Sequence, residues 1–307
     1  MTKLDDAVTT QPYATEAIVT GRPPRRRRDN PLRKPASSVL RHVILILMAA
    51  VMLYPVIWMV VSSLRPNDLI FREPGIVLDS FETSNYVDGW NALAHPFSLY
   101  LINSALIVLG CIVGNLVSCS MAAYAFARLD FTGKRWWFAI MLLSIMLPIH
   151  VIIVPQYILF GQLGWVNTFL PLILPKLLAT DAFFVFLMVQ FIRGVPKELD
   201  EAARIDGAGP PRIFLQIILP LMVPALATTA IFTFIWTWND FFSQLIYLTR
   251  PELYTVPLAL RSFQDAQSAT NYAEMFAMSV VSLLPIFLVF LFGQKFLIKG
   301  IATTGIK

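Results

Sequence analysis

Six apolar runs, each long enough to cross a lipid bilayer, dominate this sequence. A membrane-spanning helix needs about 20 consecutive, mainly apolar residues. The chain is 57% apolar and 14% charged, whereas soluble domains average about 45–50% and about 25%. The sequence therefore predicts an all-α integral membrane protein with six transmembrane helices. The predicted spans are residues 39–62, 99–125, 137–160, 169–192, 222–248 and 274–296.

The basic residues between these spans indicate the orientation of the chain. Of the 24 Lys and Arg residues, 19 lie in the two termini and in the loops that follow the second and fourth spans. Cytoplasmic loops carry the excess of Lys and Arg in membrane proteins. We therefore predict that both termini, and the loop after the fourth span, are cytoplasmic.

The first 38 residues differ from the rest of the chain. They are polar and proline-rich, and they include the run RPPRRRRDN. Such a segment has too few apolar residues to form a core, so 1–38 is predicted to be a disordered, basic cytoplasmic tail before a membrane domain at 39–307. We interpret its arginines as a topology determinant beside anionic lipid, and no nucleic-acid partner is expected.

One charged stretch, ELDEAARIDGAGPPRIFLQIILP at 198–220, separates two apolar runs. Three acidic residues crowd its start, where a helix dipole favours negative charge. Gly207 stands where a helix C-cap accepts positive φ, and the following Pro-Pro prevents continuation. A helix of about ten residues is marginal alone in water. Its small-residue face, Ala202 and Ala203, and the carboxylate of Glu201 therefore predict a docked partner.

From Glu201 to Pro220, this stretch resembles the EAA loop of ATP-binding-cassette (ABC) importer permeases. The segments MLPIHVIIVPQYILFGQLGWVNTFLPLILP (146–175), TWNDFF (237–242) and QKFLIKGIATTGIK (294–307) are similar to the carbohydrate, maltose-type branch of that family. The resemblance covers about residues 39–307. It implies the type I ABC importer transmembrane fold, a coupling loop at about 196–220, and a multi-pass protein of the bacterial inner membrane.

The resemblance also implies partners. These are a second, different permease subunit, two copies of a cytoplasmic ATPase and an extracytoplasmic substrate-binding protein. Contact with the ATPase would involve a C-terminal cytoplasmic tail, 297–307, in extended form, with Lys299, Gly300 and Gly305. The coupling residues that the resemblance implies are Glu201, Ala202, Ala203, Asp206, Gly207 and Ala208.

The sequence contains no phosphate-binding loop of the form Gly-x4-Gly-Lys-Ser/Thr. We therefore expect the chain to bind no cofactor, with ATP and Mg²⁺ held by the partner ATPase. No catalytic residue set is apparent, since the three histidines fall in separate regions. Cys111 and Cys119 are interpreted as packing residues in one apolar run, and no metal site is expected.

Polar side chains inside the predicted spans are candidates for a substrate pathway, because ionisable groups in membranes usually face a cavity or a partner. The competing interpretation is structural: buried pairs between helices, or tryptophans at the membrane interface. The resemblance further implies that bound sugar contacts mainly the other permease subunit. The candidate residues are Asn103, His150, Asp181, Trp236, Asn239 and Asp240.

Two alternatives remain open at the level of the sequence. An EAA loop also fits a permease for amino acids or polyamines. An ion-coupled secondary transporter is the other alternative, although such carriers usually contain internal repeats. The pattern at 198–220 has no second copy in this chain.

Overall fold

The computed structural model describes residues 33–72, 75–76, 80–264 and 271–302. For 33–37 and 297–302 it describes the helical backbone alone. This part of the chain consists of helices and turns. The helices are α1 (Arg33–Ser62), α2 (Ser84–Asn91), α3 (Phe97–Arg128), α4 (Lys134–Ser144), α5 (Ile149–Gln162), α6 (Leu170–Leu177), α7 (Ala182–Arg193), α8 (Glu198–Ile205), α9 (Pro210–Ile213), a π-helix (Phe214–Ile218), α10 (Leu219–Leu221), α11 (Val223–Trp238), α12 (Phe242–Tyr247), a 3₁₀ turn (Pro251–Leu253), α13 (Val256–Ser262) and α14 (Tyr272–Ala302).

The chain divides into two compact units, the first ending at Leu53 and the second beginning at Tyr54. Within the described residues, the first unit consists of the larger part of α1. The prediction of a disordered tail at 1–38 is wrong for its last residues, since α1 begins at Arg33. Pro35 stands in the first turn, where its missing N–H leaves no helix hydrogen bond unmade. Residues 1–32 lie outside the described part.

Four predicted spans are confirmed as helical segments long and apolar enough to cross a membrane. They are Ser38–Ser62, Phe97–Arg128, Leu170–Arg193 and Tyr272–Phe296. The third and fifth predicted spans are bent helix pairs, which bring the total to six if each pair is one span. The fold class predicted from the sequence is therefore correct, with two spans that are not straight.

The third span, predicted as one helix over 137–160, breaks between α4 and α5. The two helices meet at an angle of 101°. Proline has no N–H to donate and disfavours helical backbone in the residue before it, so Pro148 forces α5 to restart at Ile149. The chain just before this proline closes with turns, including Ile145 N–H to Leu142 O at 3.2 Å and Leu147 N–H to Ser144 O at 3.2 Å.

The fifth span, predicted at 222–248, begins earlier and ends sooner. Its first part, Pro210–Leu221, meets α11 at 74°, and α11 ends at Trp238. Pro220 and Pro224 remove helix hydrogen bonds on either side of this bend, and the π-helix Phe214–Ile218 precedes it. Residues 242–247 form the separate helix α12, whose start is capped by Asp240 Oδ1 accepting from Ser243 N–H at 3.1 Å.

Even the fourth span is interrupted, between α6 and α7. Backbone groups freed inside a membrane must find partners in neighbouring helices, and Ser118 of α3 supplies them. Its hydroxyl donates to Lys176 O at 2.7 Å and accepts from Ala179 N–H at 3.2 Å. Ala179 has a φ of 55°, a conformation that costs energy for a residue with a Cβ. The contact from α3 therefore fixes this break.

Helix α3 lies at the centre of the second unit and packs against α6, α7 and α11. Close approach to α6 depends on Gly114: a Cβ there would lie 3.0 Å from the carbonyl carbon of Lys176. Small residues permit such backbone contacts between membrane helices. Different segments of the chain pack against the two ends of α3. We name these ends the Phe97 end and the Arg128 end.

At the Phe97 end, amide side chains hold the connecting segments. Asn85 Nδ2 donates to Ser63 O and Arg65 O at 3.0 and 2.9 Å. Asn103 Nδ2 donates to Glu252 O and Tyr254 O, both at 2.9 Å. These contacts order the long connection between α1 and α3 and the turn before α13.

Candidate functional site

The charged stretch forms α8, Glu198–Ile205, next to the Arg128 end of α3. Gly207 has a φ of 82°, which confirms its predicted place as the C-cap glycine. Ala208 N–H bonds to Ala203 O at 2.9 Å, and Gly207 N–H bonds to Arg204 O at 3.0 Å. This pair of bonds is the Schellman motif that closes a helix when glycine takes the left-handed conformation.

The two faces of α8 have different surroundings. Its buried residues are Asp200 and Ala203, whereas Glu201 and Ala202 are exposed and Ile205 is 87% exposed. Residues three and four apart share one face of a helix, so these three form one exposed surface. We name Glu201, Ala202 and Ile205 the α8 face.

Two of the predicted coupling residues lie on the chain's own side of α8. Ala203 is buried in the core cluster formed with α3 and α7, and Ala208 packs against the same cluster. The expectation that Ala203 offers its methyl group to a partner is therefore wrong: a helix this short must bury one face against its own chain. Asp206 and Gly207 are exposed beside the α8 face.

A buried ion pair fixes α8 to α3. Arg128 Nε lies 2.8 Å from Asp200 Oδ2, with the two side chains 3% and 6% exposed. Arg128 Nη2 also donates to Val195 O at 2.6 Å. Beside the pair is a polar pocket of about 220 Å³ that Lys134, Glu201 and other charged residues line. Further along the chain, Phe214 of the π-helix packs against Tyr124 of α3, with ring centroids 5.2 Å apart.

A cavity of about 490 Å³ lies between α3, α6, α11 and α12. Small-molecule sites commonly have about 300–1,000 Å³, mostly apolar walls and a few polar groups. This cavity has that character. Its lining residues are Ile107, Cys111, Ile149, Leu172, Lys176, Trp236, Thr237, Asp240, Phe242, Ser243 and Gln244.

Of the six pathway candidates, Trp236 and Asp240 line this cavity. Trp236 is half exposed, and its ring stacks on Phe184 with centroids 5.2 Å apart. Asp240 caps α12 through one carboxylate oxygen. An aromatic face and a carboxylate therefore meet in one cavity, and the role of these two residues in a substrate pathway stays a prediction.

Asp181 belongs to a network between helices, and its role in the pathway stays a prediction. Its carboxylate oxygens lie 2.8 and 2.9 Å from Lys176 Nζ. Asn115 Nδ2 donates to the same carboxylate at 2.7 Å and lies 3.0 Å from Thr233 Oγ1. We name Asn115, Lys176, Asp181 and Thr233 the polar network. In this network the carboxylate of Asp181 pairs with the ammonium group of Lys176, so the charge that Lys176 brings to the cavity wall is neutralised.

The other three candidates also do not line the cavity. The amide nitrogen of Asn103 is committed to the backbone at the Phe97 end of α3. Asn239 is exposed, and its amide bonds back to Ile235 O at 2.7 Å. His150 is exposed at the start of α5, with its ring 4.8 Å from Phe242. His150 is thus next to the cavity-lining residues Ile149 and Phe242, and its role in the pathway stays a prediction.

Sequence reasoning missed several cavity residues. Lys176 carried the same signal as Asp181, an ionisable side chain inside a span, and could have been selected on that ground. Thr237, Ser243 and Gln244 carry no charge. Ser243 and Gln244 lie in the separate helix α12, which exists because α11 ends at Trp238. Arg128 lay at the end of a span, where basic residues are common, and nothing in the sequence indicated its partner.

The C-terminal contact residues are only partly described. Helix α14 continues to Ala302, so Lys299 and Gly300 are helical, and the extended form predicted from residue 297 is wrong for this part. Gly305 lies outside the described residues. Within the described part, no three His, Cys, Asp or Glu residues lie together as metal ligands would, and Cys111 and Cys119 are buried thiols.

Broken spans around a cavity, together with an exposed charged helix, are typical of a membrane transport component. The chain belongs to the family described as the binding-protein-dependent transport system inner membrane component, which it matches over residues 114–303. It is therefore an ABC importer permease of the inner membrane, a transport subunit and not an enzyme. This membership disfavours the ion-coupled alternative.

The matches to individual relatives cover most of this chain and most of each relative. The chain is 34% identical over 262 residues to the arabinooligosaccharides transport system permease protein AraQ of Halalkalibacterium halodurans, covering 84% of this chain and 92% of the relative. It is 32% identical over 284 residues to the trehalose/maltose transport system permease protein MalG of Thermococcus litoralis, covering 88% and 98%.

The fold is that of a type I ABC importer permease. A chain in the crystal structure of a bacterial ABC transporter involved in the import of the acidic polysaccharide alginate superposes with a TM-score of 0.76. The match covers 86% of this chain and 98% of the other, at 21% sequence identity. At that identity the likeness concerns the fold.

Proposed function

We propose that this chain is one permease subunit of an ATP-driven carbohydrate importer, and that α8 couples it to the ATPase. The α8 face is the observation that carries the proposal. It combines the acidic Glu201 with Ile205, which is 87% exposed, on a helix whose other side is buried. Interface anchors are apolar side chains surrounded by polar groups. The α8 face has this composition.

Coupling follows from the position of α8. When ATP binding closes the two ATPase subunits on each other, α8, docked in one of them, would move with that subunit. The cavity would then change from opening on one side of the membrane to opening on the other. Glu201 would pair with a basic group of the ATPase, Ala202 would permit close approach, and Asp206 and Gly207 would border the contact. This arrangement requires α8 and both termini to be cytoplasmic, in agreement with the distribution of Lys and Arg.

The remaining partners complete the importer. A second, different permease subunit would form the other half of the pathway, and two copies of the ATPase would hold ATP and Mg²⁺. An extracytoplasmic protein would deliver the substrate. The C-terminal residues Lys299, Gly300 and Gly305 stay a prediction for ATPase contact.

A carbohydrate is favoured over an amino acid or a polyamine by the relatives and by the cavity. AraQ and MalG are named for oligosaccharide and disaccharide transport. Trp236 offers a flat aromatic face, and Asp240, Thr237 and Ser243 offer hydrogen-bonding groups. A polyamine, which is a cation, would be repelled by the ammonium group of Lys176 in the cavity, although Asp181 pairs with that group.

Glu201→Lys tests the coupling role. In cells that depend on this importer, uptake of radiolabelled maltose, trehalose and arabinotriose is measured, with immunoblots of membrane fractions for the amount of inserted chain. We expect the variant to insert normally and to lose uptake at least tenfold. Asp130→Lys is the matched control, since Asp130 is likewise an exposed acid that lines the same pocket but lies outside α8. Normal uptake by Glu201→Lys would refute the coupling role.

A further inference from the structure

The attachment of α8 to the membrane helices rests on few contacts. Only two of its residues, Asp200 and Ala203, are buried, and a helix of this length is unstable in water without support. Ala203 contributes one methyl group to the core. Asp200 contributes a charge, which a protein interior accepts only when it is paired. The orientation of α8 therefore depends strongly on Arg128, the partner of Asp200.

Arg128 is suited to fix two segments at once. A guanidinium group is planar and presents several donors in a rigid fork. Here Nε lies 2.8 Å from Asp200 Oδ2, an ion-pair contact without an aligned hydrogen bond, and Nη2 donates to Val195 O at 2.6 Å. Val195 lies in the connection between α7 and α8. One side chain thus holds the segment that leads into α8 and α8 itself.

The same helix that carries Arg128 also reaches the cavity. Cys111 of α3 lines the cavity, Asn115 belongs to the polar network, and Ser118 contacts the break between α6 and α7. The rise of about 1.5 Å per residue puts Arg128 about 26 Å along the same helix from Cys111. Helix α3 runs between them without a break, so one continuous helix connects Arg128 to the cavity wall.

We propose that Arg128 and Asp200 are positioning residues for coupling. Their ion pair fixes α8 to α3, so that a force applied to the α8 face moves α3 as one body and reaches the cavity wall. The proposal rests on the proposed role of α8, and it adds the residues by which the permease receives the movement. Glu201 faces the partner, whereas Asp200 faces the chain's own α3.

The test uses the complete importer, purified with its ATPase and reconstituted in liposomes, and compares ATP hydrolysis with and without the binding protein. Asp200→Asn removes the charge and keeps the shape of the side chain. We expect its stimulation by the binding protein to fall at least fivefold. Asp200→Glu, which retains the carboxylate, should recover at least half of the stimulation. Asp130→Asn, the exposed neighbour, should behave as the unaltered importer.

A second measurement covers the case in which Asp200→Asn prevents assembly. A nitroxide attached to Ile205→Cys in the full chain reports the mobility of α8, and the two native thiols are buried away from the label. We expect Asp200→Asn to increase the label's mobility and Asp200→Glu to restore it. Unchanged mobility, unchanged stimulation, or an Asp200→Glu variant no better than Asp200→Asn would overturn the proposal.

These results separate the two proposals. Normal uptake by Glu201→Lys would refute docking through the α8 face, whatever Asp200 does. Loss of uptake by Glu201→Lys together with normal stimulation in Asp200→Asn would leave docking in place and refute the role of the ion pair.

Discussion

Replacing Asp181 by alanine is the sharpest test of the polar network. The change removes the carboxylate that lies 2.8 and 2.9 Å from Lys176 Nζ and leaves the ammonium group unpaired within a membrane span. A charge at the centre of a membrane helix costs about 2.5–3.5 kcal/mol, and breaking a buried pair costs about 3–5 kcal/mol. Lys176 and Asp181 retain 30% and 22% exposure, so we expect a loss of about 2–3 kcal/mol.

The measurement is the free energy of unfolding of the purified chain in mixed detergent micelles, followed by circular dichroism. The double variant Lys176→Met/Asp181→Ala contains neither charge, so its loss should be about 1 kcal/mol, mainly from the unmet hydrogen bond of Asn115. Asp130→Ala, at the exposed surface, should stay within about 0.5 kcal/mol. If the double variant is as unstable as Asp181→Ala, or if Asp181→Ala is as stable as the unaltered chain, the ion pair does not stabilise this site.

Three further perturbations follow from the fold and the cavity. Gly114→Val should destabilise the chain by about 1–3 kcal/mol in the same unfolding assay, because the new side chain meets the backbone of Lys176. Gly161→Val is the control and should cost less, since Gly161 has open space around it. Equal losses would contradict the packing of α3 on α6. Trp236→Ala should lower sugar uptake at least fivefold while Asn239→Ala leaves it within twofold, and the reverse order would place the pathway elsewhere. Deleting residues 1–30 should leave uptake within twofold, and loss of the assembled complex would refute this.

The sequence was informative wherever local chemistry decides the structure. Runs of apolar residues predicted the membrane spans because backbone groups in lipid must be satisfied within a helix. Gly207 was predictable because a C-cap with positive φ favours glycine. The acidic start of α8 and its length were likewise local properties, and they indicated a docked helix before any packing was known.

The sequence was misleading where distant segments decide the outcome. Depth along a straight span located Asp181 and His150, but it did not reveal that Pro148 bends one helix or that Lys176 and Asn115 bind Asp181. Ala203 resembled a docking residue as much as its neighbour Ala202 did, and only the packing of α8 on α3 separates their faces. Arg128 and Asp200 are 72 positions apart in the printed sequence, so no local pattern could pair them.

The most direct test of the account is a photo-crosslink from the α8 face in the native membrane. A photoreactive residue at Ile205, which is 87% exposed, is compared with one at Met146, which is 78% exposed at the bend between α4 and α5. If α8 couples the chain to the ATPase, mass spectrometry will identify an ABC ATPase crosslinked to position 205 and none crosslinked to position 146. An inserted chain that crosslinks to no ATPase from position 205 would contradict coupling through α8.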